Sequence, residues 1–179
     1  TVCEKPNVVR ETSGMMENAA KRLAKDFPGV ALWSNNIDAQ MMWLTKNPED
    51  SGVIVATNLF GDIISDGYAG LVGGLGFACS ANMGRSHAVF EPTHGSAPKY
   101  EKLSPSIVNP IAMHLSGCMM LDHVGETDKA TRIRNAIAAV VAEGKVRTYD
   151  MLRLKGGPDV FSQGACTTQQ MTDAVIAKL

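Results

Sequence analysis

Asp62 and Asp66 lie four residues apart in Asn58-Leu59-Phe60-Gly61-Asp62-Ile63-Ile64-Ser65-Asp66, so on a helix both carboxylates project from one face. Two like charges placed this way repel each other unless a cation sits between them, and oxygen-only donors select a hard divalent ion, Mg²⁺ or Mn²⁺. The plainer reading is a solvated helix face, or acidic residues favoured near a helix N-terminus. Asp38, at the start of another helical stretch, is a third carboxylate able to converge on the same ion. Lys5, in Glu4-Lys5-Pro6-Asn7, reads on its own as a solvated surface group. Thr93-His94-Gly95-Ser96-Ala97-Pro98 has the turn composition of an anion- or nucleotide-binding loop. No G-x-G-x-x-G follows a strand, which excludes a Rossmann dinucleotide site. Gly73-Gly74-Leu75-Gly76 comes after a helix rather than before one and reads as a helix stop with close backbone packing. His114 and His123 read as ordinary helix residues.

These groups need strand ends and helix starts to hold them, and the apolar periodicity supplies both. A strand-like run over residues 1–4 ends at Lys5. Helical spacing over 11–26 carries Met15, Met16, Ala19, Ala20 and Leu23, and Phe27-Pro28-Gly29 stops it. A short β-like run over 30–33 precedes a helix over 38–46. Val53 to Ala56 is wholly apolar and predicts a strand buried on both faces, which delivers the acidic segment at its carboxyl end. A helix over 59–72, a strand over 88–90 and helices over 108–124, 128–143 and 167–179 complete the reading, with Thr127 as N-cap and Gly144 just past a helix end. Strands alternating with helices over the first hundred residues give an α/β fold with helices packed on a sheet.

Composition narrows the function classes. The 179 residues are 45 % hydrophobic and 20 % charged, ordinary for a globular chain, so collagen-like, disordered and coiled-coil readings fail. The formal net charge of −1 recommends neither nucleic acid nor an anionic membrane. Four scattered cysteines with no C-x-x-C pair exclude zinc-ribbon and thioredoxin-type sites and read as reduced, small hydrophobes, which fits a cytoplasmic or organelle-matrix enzyme. The paired methionines read as core or subunit-interface filler. The first residue is Thr1, and no signal or transit peptide follows, which suggests a break inside a longer protein.

The run TNLFGDIISDGYAGLVGGLGFACSANMG (57–84), with VFEPTHGSAPKY (89–100), IVNP (107–110) and TYDMLRL (148–154), resembles the isocitrate/isopropylmalate dehydrogenase family over essentially the whole chain. The resemblance implies a three-layer α/β/α fold with a smaller dimer-forming domain. It places residues 1–50 in that smaller domain and 51–179 in a large nucleotide- and metal-binding domain, with an N-terminal half missing. It implies metal-dependent β-decarboxylating dehydrogenation, with Asp38, Asp62 and Asp66 on Mg²⁺ or Mn²⁺. Lys5 with Asn7 matches the family's strand-end Lys-x-Asn element, in which the lysine handles the substrate hydroxyl proton. Lys5 and Asp38 are implied to serve the neighbouring subunit's site, so the expected state is a homodimer with shared active sites.

The cofactor is implied to lie on His94, Gly95, Ser96, Ala97 and Pro98, with Asn109. A 2′-phosphate needs cationic and hydroxyl donors, whereas a free ribose diol favours a carboxylate. Lys99, Tyr100, Tyr149 and Arg153 match the NADP-dependent isocitrate dehydrogenase pattern, which points to isocitrate oxidation to 2-oxoglutarate, a step of the tricarboxylic acid cycle. The alternatives are an NAD-dependent isopropylmalate or homoisocitrate dehydrogenase, or a regulatory subunit that binds nucleotide without chemistry. The missing half normally reads the substrate, so this stretch alone is expected to lack turnover.

Overall fold

The computed structural model describes residues 1–179, which form two compact units, Thr1–Leu71 and Val72–Leu179. The sequence reading divides the chain at residue 50 instead, between its dimerisation and large domains.

In the first unit, β1 (Val2–Glu4) pairs in parallel with β2 (Ser34–Asn36), Val2 opposite Ser34 and Glu4 opposite Asn36. The strand expected over 30–33 is therefore displaced onto a polar triplet. Strand pairing outweighs local propensity here, because the Val2 amide takes the Trp33 carbonyl at 2.8 Å and fixes the register that follows. The expected buried strand at 53–56 is also corrected. Only Val55 bridges to Val2, and Val53 and Val55 are 79 % and 44 % exposed. The Cys3 amide donates to the Val55 carbonyl at 2.9 Å and the Val55 amide to the Thr1 carbonyl at 2.8 Å, so one edge of the segment is paired with β1. The two valine side chains are exposed, while Ile54 and Ala56 are half-buried.

Three helices complete the unit: α1 (Arg10–Leu23), α2 (Ile37–Lys46) and α3 (Asn58–Leu71). α2 and α3 approach closely at Gly67, where a Cβ would lie 2.8 Å from Leu44 Cδ2 and 2.9 Å from Met41 Cε. The same crossing is tied by Gln40, 1 % exposed, whose amide nitrogen donates to Tyr68 Oη at 3.2 Å and Ser51 Oγ at 3.0 Å. A buried amide is tolerable only when its polar atoms are satisfied, and Asn35 Nδ2 satisfies the Gln40 oxygen at 2.8 Å. All four cysteines are free. Cys3 is fully buried, and burial first, then Glu4, push its thiol up to about 11, so it stays a protonated hydrophobe.

The second unit holds an antiparallel pair, β3 (Cys79–Met83) and β4 (Ala88–Pro92), with Cys79 opposite Pro92 and Met83 opposite Ala88. Sequence patterning finds β4 but not β3, because Cys-Ser-Ala-Asn-Met has no β-branched or aromatic residue. α4 (Ile111–His123) packs on this hairpin and against α5 (Thr127–Glu143), while α6 (Thr168–Ile176) closes on α5. Their core gathers Ile111, Ala136, Ile137, Val140, Met171 and Val175. Gly144 ends α5 in the left-handed conformation, φ 62°, as expected. Thr127 is not the N-cap of α5; Glu126 takes that place, and no side chain caps the helix. Thr167 does cap α6: its Oγ accepts from the Gln170 amide, while Gln170 Oε1 accepts from the Thr167 amide. No helix is long and apolar enough to cross a membrane.

Candidate active site

In the first unit, Lys5 follows β1 directly and its carbonyl accepts from the Val8 and Val9 amides, a tight turn that carries Asn7 on its exposed side. The Lys5 ammonium forms an ion pair with Asp38, in the first turn of α2. Two groups separated by 33 residues and expected to act together are thus side by side. The hydrogen bond from Lys5 is the largest influence on Asp38 and holds its carboxyl below the usual carboxylate range.

Asp62 and Asp66 lie on α3, both exposed, and neither is paired with a lysine or arginine. An unneutralised carboxylate pair on one helix face fits a hard cation in its donor chemistry. Asp38 does not join them: no three histidine, cysteine, aspartate or glutamate side chains of one chain gather in a metal-binding group. Two aspartates alone fill too few positions around such an ion, so further oxygens must come from substrate, water or a second chain.

In the second unit a groove of about 470 Å³ is lined by His94, Gly95, Ser96, Ala97, Tyr100, Asn109 and Tyr149, seven of the ten residues expected at the cofactor. Pro98, Lys99 and Arg153 are not among its walls. Lys99 stands at its rim, with Nζ 4.8 Å from the ring centroid of Tyr100. The Tyr100 and Tyr149 rings pack at 5.7 Å and 59°. The Tyr149 hydroxyl foremost, and the Lys99 ammonium after it, hold the Tyr100 phenol below its usual range, whereas burial pushes Tyr149 up. The loop itself is held in shape by Ala97 in the left-handed region, φ 43°. His94 Nδ1 lies 2.9 Å from the Gly95 carbonyl, so the proton belongs on Nδ1 and a neutral ring leaves Nε2 as acceptor.

Patterning missed part of this groove. Gly73, Gly74, Leu75 and Gly76 form one wall besides stopping α3, with Gly73 and Gly74 at φ 114° and 104°. Asp150 forms another, adjacent in sequence to Tyr149, which was the only signal for it. Asp150 Oδ2 accepts from Asn109 Nδ2 at 2.9 Å, and Asn109 Oδ1 accepts from the Ile111 amide at 3.0 Å, so the pair also anchors the start of α4. A Cβ on Gly76 would lie 2.7 Å from Asp150 Oδ2 and 3.0 Å from Asn109 Nδ2. Gly76→Ala is therefore expected to cost about 1–3 kcal/mol, by overpacking a buried polar network. The lowered midpoint of a urea melt, together with weakened nucleotide binding, checks this; an unchanged midpoint would show that the network yields freely.

Arg153 has an unusual backbone. Its amide donates to the Asp150 carbonyl at 2.9 Å and the next amide, Leu154, to the Tyr149 carbonyl at 2.9 Å, the bond pattern of a Schellman turn. Arg153 holds the left-handed position, φ 57°, where glycine is usual.

The chain is 43 % identical over 178 residues to an isocitrate/homoisocitrate dehydrogenase of Thermus thermophilus, covering 99 % of this chain and 49 % of that protein. It is 44 % identical over 151 residues to a 3-isopropylmalate dehydrogenase of Archaeoglobus fulgidus, covering 84 % of this chain and 45 % of that protein. The crystal structure of an isocitrate dehydrogenase from Methylococcus capsulatus superposes with a TM-score of 0.86 at 38 % identity, over 99 % of this chain and 50 % of that one. The chain thus spans about half the length of these relatives. The sequence profile described as isocitrate/isopropylmalate dehydrogenase matches residues 1–175, and the chain belongs to that family.

Proposed function

We propose that the protein is a metal-dependent decarboxylating dehydrogenase that oxidises isocitrate to 2-oxoglutarate with NADP, its active sites shared between two chains. The observation that carries this reading is the convergence of the 94–100 loop, Asn109 and Tyr149 on one groove. Helix and strand periodicity does not bring residues so far apart in sequence together without a common ligand or fold role. Asp62 and Asp66 would hold Mg²⁺ or Mn²⁺, with Asp38 of a second chain. When bound, the ion supplies Lewis-acid polarisation of the substrate oxygen that changes from hydroxyl to ketone. Lys5 is the candidate to take that oxygen's proton as its neutral amine and to return it as the ammonium so formed, and Asn7 to hold a substrate carboxylate. Asp38 orients the Lys5 ammonium until substrate arrives. Relatives whose names carry isocitrate, homoisocitrate and isopropylmalate share this scaffold, so isocitrate is the finer part of the proposal.

The NADP assignment rests on the Lys99 ammonium over Tyr100, the Tyr100–Tyr149 pair, and Arg153. Charge-assisted bonds contribute roughly 1.5–3 kcal/mol each, so two of them on a 2′-phosphate give about a hundredfold preference over NAD. Adenosine 2′,5′-bisphosphate is expected to bind this chain far more tightly than 5′-AMP, by calorimetry. Lys99→Asp with Tyr100→Ile is expected to erase most of the difference, and equal binding in the unmodified chain would overturn NADP while leaving the family intact. Arg153 offers a test with opposite signs. A left-handed non-glycine residue costs roughly 1–2 kcal/mol, a strain retained where the side chain has work to do. Arg153→Gly is expected to raise stability in urea yet weaken bisphosphate binding about tenfold, one charge-assisted bond. Unweakened binding would remove Arg153 from the phosphate site.

A further inference from the structure

Glu4 is 2 % exposed at the end of β1, and it has no cationic partner. A carboxyl group is costly to bury and is kept only where its oxygens are satisfied. Both are: Oε2 accepts from the Ser13 hydroxyl at 2.7 Å and Oε1 from the Thr57 amide at 2.6 Å. Each partner leads to a different functional segment. Ser13, 1 % exposed on α1, also accepts from the Lys5 amide at 3.3 Å. Thr57 immediately precedes α3, and its carbonyl accepts from the Gly61 amide at 2.7 Å, so its placement fixes the first turn of the helix that carries Asp62.

We infer that Glu4 is a positioning residue that clamps the Lys5 turn to the start of α3, setting where Lys5 stands relative to Asp62 and Asp66. The inference rests on the proposed metal reading. It adds a consequence: if Lys5 serves the partner chain's site and Asp62 its own, Glu4 mechanically links the two sites of a dimer. Metal binding on α3 is then felt at the Lys5 turn through two hydrogen bonds on one side chain.

Mn²⁺ titration of this chain, read by electron paramagnetic resonance, tests it. Glu4→Ala orphans the Thr57 amide, and loss of such a supporting group is expected to weaken Mn²⁺ binding about tenfold. Glu4→Gln is expected to restore it: its carbonyl still accepts from Thr57, and its NH₂ donates to Ser13 Oγ, which has a second lone pair for the Lys5 amide. Ser13→Ala, which leaves the Thr57 contact in place, is expected to give a smaller loss. Binding of adenosine 2′,5′-bisphosphate in the other unit is expected to stay unchanged in all three. Mn²⁺ binding equal to wild type in Glu4→Ala overturns the clamp. Should that variant fail to fold, wild-type affinity in Ser13→Ala together with weakened affinity in Glu4→Gln overturns it. Absence of Mn²⁺ binding in the wild-type chain overturns the metal reading itself, and the clamp with it.

Discussion

Asp62→Asn is expected to weaken Mn²⁺ binding, and metal-dependent turnover of the complete protein, by an order of magnitude or more, the usual cost of disturbing a metal's donor set. Asparagine keeps one carbonyl oxygen but loses the charge, and Asp62 has no cationic side chain that would share the effect. The same substitution carries a second expectation of opposite sign. Without metal, the like charges of Asp62 and Asp66 oppose each other across one turn of α3, and removing one is expected to stabilise the helix by about 0.2–0.5 kcal/mol. Mn²⁺ titration paired with urea melts in chelator separates the two effects. A destabilised protein with unaltered Mn²⁺ dependence would mark Asp62 as structural.

In the complete protein, Lys5→Ala is expected to lower kcat by about 10²–10⁴ while leaving the fold intact, because a positioned acid–base group contributes that much. The fold survives because the Lys5–Asp38 pair is exposed on the Asp38 side, 67 %, and such pairs contribute little to stability. The pH dependence has a definite sign. Lys5 holds the Asp38 carboxyl below its ordinary value, so the pair's stabilisation is fully present above about pH 4 and is lost as pH falls through the lowered value. At neutral pH the Asp38 carboxylate is ionised, and activity lost there reports the missing Lys5 side chain rather than protonation of Asp38. Urea melts at pH 7 and kcat measured together check this. A kcat within a few-fold of wild type would remove Lys5 from the chemistry.

The family and its fold class were legible in the sequence. The loop at residues 93–98 was marked by its turn composition, and Asn109 and Tyr149 by the family resemblance, and the structure seats most of them on one groove. Pro98, Lys99 and Arg153 fall outside its walls. Strand placement was the weak point. Val53–Ala56 carries the composition of a doubly covered strand, yet has one paired edge and exposed valines, since burial depends on neighbours that periodicity does not specify. β3 escaped because its pairing with β4 overrides poor propensity. Glu4 and Gln40 were invisible for another reason: a buried polar residue looks like a surface one until its hydrogen-bond partners are known.

The sharing of active sites between chains is the claim on which the rest depends. The structure places Lys5 and Asp38 together and leaves Asp38 out of any group with Asp62 and Asp66. Mixing the inactive Lys5→Ala and Asp62→Asn forms of the complete protein, under conditions that exchange subunits, tests it most directly. One site of each mixed dimer then receives an intact Lys5 from one chain and an intact Asp62 from the other. Partial recovery of isocitrate-dependent NADP reduction, up to about a quarter of wild type on statistical grounds when subunits pair at random, is the expected result. Exchange demonstrated by a subunit label with no recovery of activity would contradict shared sites.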